Sequence, residues 1–107
     1  GQYQVARASW VADFGDPINF LEGFSASDND SQYHDEKYKS LIDRIKSTGD
    51  ISLRNRLMHE AEGMIFDQAL VIPIYYTTQP YVASDRIAGY FFTNMGLIDF
   101  KKAYRVH

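Results

Sequence analysis

Hydrophobic and polar positions divide the chain into segments of different period. Residues 3–11 alternate: Tyr3, Val5 and Arg7 face one way, and Gln4, Ala6, Ala8 and Trp10 face the other. That is the two-residue period of a strand. The run ends near Asp13. FGDP, through Gly15, Asp16 and Pro17, is a turn signal, and Asp16 reads as the turn residue because an Asp side chain bonds the backbone just beyond it. Residues 18–24 form a short apolar segment of one or two helical turns, and 25–32 (SASDNDSQ) is a polar loop. Within that loop Asn29-Asp30-Ser31 matches a glycosylation sequon, a weak pattern that carries no argument here.

Two helices are predicted next. Over 35–48, Tyr38, Leu41, Ile42 and Ile45 make one apolar stripe, with Asp35 and Glu36 in the first turn, Lys46 in the last and Gly49 as the stop. Over 52–68, Leu53, Leu57, Ala61, Met64 and Ile65 mark the buried face, with Asp50 or Ser52 as N-cap. β-rich segments follow at 70–78 (LVIPIYYTT) and 81–83, turn signals at Gly89 and Asn94-Met95-Gly96, and a last strand over 97–106. Pro73 lacks an amide donor and belongs at an edge or a bulge. The order β-α-α-β-β-β predicts a mixed α/β (α+β) fold, a two-helix hairpin packed on a small mixed sheet, without internal repeats.

Composition narrows the function classes. In 107 residues, 45% hydrophobic and 23% charged suit one globular unit or a piece of a larger one. A net charge of −3 argues against a nucleic-acid partner, which needs a basic face. No apolar run nears the roughly 20 residues that span a bilayer. The chain starts GQYQVARAS, already in strand-like alternation, as expected of a piece of a longer protein with Gly1 a tag remnant. The absence of cysteine excludes disulfides and thiolate zinc sites and fits an oxidising compartment. His59-Glu60-Ala61-Glu62-Gly63 begins like a zinc-protease helix but has Gly63 where the second histidine is needed, and the run His34-Asp35-Glu36 puts ligand types on diverging faces. No catalytic motif is present, so no enzyme, metal or cofactor is expected. Aromatic residues reach 15%, enough to fill a core or to line a ligand cleft.

The stretch VARASWVADFGDPINFL resembles the signature region of the extracytoplasmic peptide-binding proteins of ABC importers, the oligopeptide- and dipeptide-binding group. Tyr33 with residues 38–43, then AEGMIFDQALVIPIYY, Gly89-Tyr90 and DFKKAYRVH continue the likeness in order and at matching intervals along the whole chain. The resemblance implies the C-terminal fifth of a two-lobed periplasmic-binding-protein type II fold. Residues 1–77 would belong to the second lobe, and 78–107 would cross the hinge and return toward the first.

Site residues follow from the same resemblance. Asp13 matches the acid that pairs with a peptide's α-amino group. Ser9 and Val11 match positions whose backbone pairs with the peptide main chain, and Trp10 matches a ring at the edge of a side-chain pocket. Arg7 matches a cation for a short peptide's C-terminal carboxylate, and Tyr76 lies in the tyrosine run near the cleft. Thr77 stands where some members carry a third tyrosine, and Ser9 replaces the commoner glycine. The implied partners are a peptide and, through the full protein, a membrane permease. The implied location is the periplasm or the extracytoplasmic face of a bacterial membrane, with a lipid anchor as an option. Alone, the chain is expected to self-associate through strand edges and uncovered apolar faces. Alternatives stay open: a receptor of this fold for nickel, haem or a sugar, or a self-contained α/β interaction module, with Trp10 a core residue and Arg7 a surface charge.

Overall fold

A computed structural model describes residues 3–93 and 95–106. Gly1, Asn94 of the expected 94–96 turn and His107 of the closing segment lie outside the described residues. The helices are α1 (Ile18–Glu22), extended by a 3₁₀ turn (Gly23–Ser25), α2 (Glu36–Ser47) and α3 (Ile51–Asp67). Four short strands follow: β1 (Ile87–Ala88), β2 (Phe91–Phe92), β3 (Ile98–Asp99) and β4 (Tyr104–Arg105).

The helices stand within a residue or two of their expected bounds, because their caps are local. The Asp35 carboxylate accepts the amides of Lys37 at 2.7 Å and Tyr38 at 3.1 Å, and both bonds hold it below the usual carboxylate range. Asp50 accepts the Leu53 amide at 2.9 Å and starts α3. The loop between α1 and α2 is closed by Asn29. Its Nδ2 donates to the carbonyls of Ala26 (2.7 Å) and Tyr33 (2.9 Å), and its Oδ1 accepts the Tyr33 amide (3.0 Å). The sequon asparagine is therefore committed to the loop's own structure.

The stops differ from expectation. Gly49 keeps a negative φ; α2 ends instead at Thr48, which turns extended and donates its hydroxyl to the Arg44 carbonyl at 2.6 Å. The left-handed cap lies after α3, at Ala69 (φ 52°). Ala69 donates to the Phe66 carbonyl (2.9 Å) and Leu70 to that of Ile65 (3.1 Å), the paired bonds of a Schellman motif built on a non-glycine residue.

One core forms, and it is helical. Tyr38, Leu41, Ile42 and Ile45 of α2 pack against Leu57, Met58, Ala61 and Ile65 of α3, with Ile18 of α1 closing the cluster. Leu53 and Met64, expected within α3's buried face, sit at its margin, and Met58 takes the interior. Tyr38 crosses the core so that its hydroxyl donates to the Leu21 carbonyl at 2.8 Å, tying α1 down; burial pushes its ionisation well up.

The predicted mixed sheet under the hairpin is absent among the described residues. The hairpin packs on α1 instead, and the helices precede the strands as in an α+β chain. The strands form two separate antiparallel pairs, β1 with β4 (Ile87 opposite Arg105) and β2 with β3 (Phe92 opposite Ile98). Residues 3–11, 70–78 and 81–83, expected as strands, join no ladder and form no regular element. Alternation describes a half-buried pleated surface, and such a segment becomes a strand only when a neighbour takes its amides and carbonyls. Here apolar side chains stand in solvent, with Tyr76 99% and Val82 102% exposed. The radius of gyration is 18.8 Å, against about 13 Å for a compact chain of this length.

Candidate functional site

The site grows from the turn between the N-terminal segment and α1. Asp16 accepts the Ile18 amide at 3.0 Å, as an Asx turn before a helix should. Its carboxylate also meets Nη2 of Arg54 in α3, at 3.0 and 2.9 Å from the two oxygens. Arg54, then the Ile18 amide, hold the Asp16 carboxyl below its ordinary range. Asp16 is thus a structural acid, which matches its reading as a turn residue, and Arg54 is a partner that sequence reasoning missed.

Asp13 is held differently. Its amide donates to Oδ1 of Asn19 at 3.0 Å, and Nδ2 of Asn19 donates to its Oδ2 at 3.3 Å. Asn19 is the one buried polar side chain of the core region among the described residues, 3% exposed. Its polarity inside the apolar run INFL was the available signal, since a buried amide requires partners.

Trp10 reaches the same place. Its ring lies edge-on to Phe20, centroids 6.4 Å apart at 61°, and runs across Gly23. A Cβ at position 23 would stand 2.6 Å from Cη2 and 2.9 Å from Cζ3 of the indole, so the ring's seat depends on this glycine. Trp10 is half-exposed and is no core residue. Between ring, turn and helix end lies an open hollow of about 380 Å³, lined by Trp10, Asp13, Asn19, Glu22, Gly23, Ser25, Ala26 and Lys46. The ion pair of Lys46 with Glu22, 2.7 Å, braces one rim by joining the end of α2 to α1.

The structure therefore brings Trp10 and Asp13 to one hollow. Ser9 and Val11 flank Trp10 on the exposed segment, and neither has a backbone hydrogen bond among the described residues. Arg7 lies further back on that segment, and Tyr76 lies on the 70–83 segment; neither lines the hollow. Gly23, Glu22 and Lys46 were not foreseen as lining residues. His59 pairs with Glu62 at 3.3 Å on the solvated face of α3. Among the described residues no three His, Cys, Asp or Glu gather as a metal cluster, and no helix is long and apolar enough to cross a membrane.

No protein-family model matches the chain. Known proteins do. The oligopeptide-binding protein OppA of Bacillus subtilis is 34% identical over 105 residues, 95% of this chain and 19% of that protein. The dipeptide-binding protein DppE of the same organism is 32% identical over 104 residues, again 95% of this chain and 19% of the relative. The chain is homologous to a part of the oligopeptide- and dipeptide-binding proteins. It spans about a fifth of the length of these binding proteins, so the likeness to peptide-binding proteins read from its motifs holds over nearly all of its own length. A third relative, the probable deoxycholate-binding periplasmic protein YgiS of Escherichia coli, is 32% identical over 84 residues, 77% of this chain and 15% of its own.

Proposed function

We propose that this chain is the C-terminal portion of an extracytoplasmic receptor that delivers peptides to an ABC importer, and that its hollow receives the peptide's amino terminus. The observation that carries this reading is Asp13, an acid with no cationic partner among the described residues, lining the same hollow as the Trp10 ring. A carboxylate against an apolar ring makes a strong charge-assisted bond to an ammonium. The homology to oligopeptide- and dipeptide-binding proteins supports the ligand class. Ser9 and Val11 offer unpaired backbone to an incoming strand, which reads any sequence because it reads only main chain. Each such bond contributes a net of about 0.5–1.5 kcal/mol, so several are needed beside the Asp13 contact to reach micromolar affinity, about −8 kcal/mol. In this reading Arg7 and Tyr76 meet the ligand further along the cleft. Residues 1–77 lie in the second lobe, and 78–107 cross the hinge. The exposed apolar segments 3–11 and 70–83 are then faces that the rest of the receptor covers, and in isolation they drive self-association.

In the intact receptor, Asp13→Ala is expected to weaken peptide binding well over tenfold by calorimetry. Unchanged affinity refutes the anchor. The name of YgiS favours one second reading, a non-peptide solute held in the same fold. Mass spectrometry of the ligand that copurifies with the intact protein separates the two.

A further inference from the structure

The two acids of the opening turn have partners of different charge. Asp16 faces the Arg54 guanidinium, so its charge is neutralised within the fold. Asp13 faces the Asn19 amide, a neutral donor, and has no cationic partner among the described residues. We infer that Asn19 is a positioning residue for the Asp13 carboxylate, a buried fork that orients the acid without discharging it. The inference deepens the peptide-amine reading of the hollow and rests on it.

The geometry is reciprocal. Oδ1 of Asn19 accepts the Asp13 amide at 3.0 Å while Nδ2 donates to Asp13 Oδ2 at 3.3 Å, so one side chain fixes both the backbone and the carboxylate of the acid. Asn19 is itself held. It is 3% exposed, and its helix is pinned at both ends, by Arg54 on Asp16 and by the Tyr38 hydroxyl on the Leu21 carbonyl. A carboxylate has about four lone-pair sites. With Oδ2 engaged by Asn19, Oδ1 remains for an ammonium arriving over the hollow that Asn19, Asp13 and Trp10 share. An exposed carboxylate without such a fork would have to be immobilised at the moment of binding, and that ordering opposes affinity. A lysine or arginine in place of Asn19 would hold Asp13 as well but cancel the charge the ligand needs.

The test uses the intact receptor and two probes, tetraalanine with a free α-amine and its N-acetylated form. Asn19→Ala is expected to weaken tetraalanine about tenfold, the worth of one hydrogen bond to a charged group. It should leave the weaker N-acetyl binding unchanged and add nothing when Asp13 is already Asn. Hydrogen exchange of the segment 12–14 should quicken, while α2 and α3 stay protected. Should Asn19→Ala fail to fold, Asn19→Ser takes its place, since its hydroxyl keeps a polar atom in the pocket but falls short of Asp13. Equal loss for both probes, or unchanged exchange at 12–14 with α2 and α3 intact, overturns the inference. If the unmutated receptor does not distinguish the two probes, the peptide-amine reading fails. The exchange experiment then decides alone whether Asn19 positions Asp13: faster exchange supports it and unchanged exchange refutes it.

Discussion

Gly23→Ala separates what this glycine does for the helix from what it does for the site. Position 23 has φ −56° and ψ −33°, an ordinary helical conformation, so alanine meets no backbone penalty there. On helix propensity alone it should stabilise the chain by about 0.5–1 kcal/mol. The added methyl, however, would stand 2.6 and 2.9 Å from two atoms of the Trp10 ring. Carbon atoms rest at about 3.5–4.0 Å, so one partner has to retreat by about 1 Å. The helix is tied by Tyr38 on the Leu21 carbonyl, whereas the indole is 52% exposed, so the ring moves. Its departure weakens the edge contact with Phe20, at a cost of about 0.5–1.5 kcal/mol. The opposing effects leave stability within about 1 kcal/mol of the parent. The wall of the hollow is nonetheless gone. Trp10 is the chain's single tryptophan, so its fluorescence reports the movement directly. Emission should shift to the red and acrylamide quenching should rise, with a melting temperature changed by only a few degrees. Unchanged emission and quenching would show that the ring does not rest on Gly23. A stability loss above about 3 kcal/mol would show that the ring is fixed and the helix yields.

Two further substitutions test the frame around the site. Arg54→Ala should lower stability by about 0.5–1 kcal/mol at neutral pH, a partly exposed pair losing its cation. Because the folded state holds the Asp16 carboxyl below its ordinary range, that contribution is complete above the unfolded value near 4 and vanishes as pH falls through the lowered folded one. Urea midpoints of parent and variant should converge on acidification from about pH 6 to 3, and a constant gap refutes the pair. Ala69→Gly should raise stability by about 0.5–1 kcal/mol, since a Cβ at φ 52° costs about 1–2 kcal/mol and glycine returns part of that as unfolded-state entropy. A lower urea midpoint would contradict the left-handed cap.

The helices were legible because everything they need is close in sequence. The stripe of Tyr38, Leu41, Ile42 and Ile45 lies within one segment and behaves as read, while Asp35, expected in the first turn, stands one position earlier as the N-cap. The caps at the other ends were harder. Glycine after a helix suggests a left-handed stop, yet Thr48 ends α2 with its own hydroxyl and Ala69 takes the strained position after α3, where the bonds to Phe66 and Ile65 outweigh its Cβ. The strands were least legible. Alternation at 3–11 and the run at 70–78 describe surfaces fit for pairing, but pairing depends on what stands beside them. The pairs that do form, β1 with β4 and β2 with β3, join residues up to about eighteen positions apart and could not be drawn from the period of either partner.

The site was legible to the same depth. Trp10 and Asp13 could be nominated from residue type and resemblance, and both reach the hollow. What distinguishes Asp13 from Asp16, three residues on, is the company each keeps. Asp16 answers to Arg54 on another helix, and a carboxylate paired to a guanidinium is a tie between elements. Asp13 answers to an amide six residues away, buried at a helix start that the pattern INFL presents as merely apolar. Hydrogen-bonding a carboxylate to a neutral donor lets an acid be ordered and remain anionic at once. An acid that only braced a turn would be better served by a cation. The proposed amine anchor rests on this difference: among the described residues the Asp13 carboxylate meets no cation at ion-pair distance, and it shares its hollow with the Trp10 ring, while Lys46 on the rim is paired with Glu22.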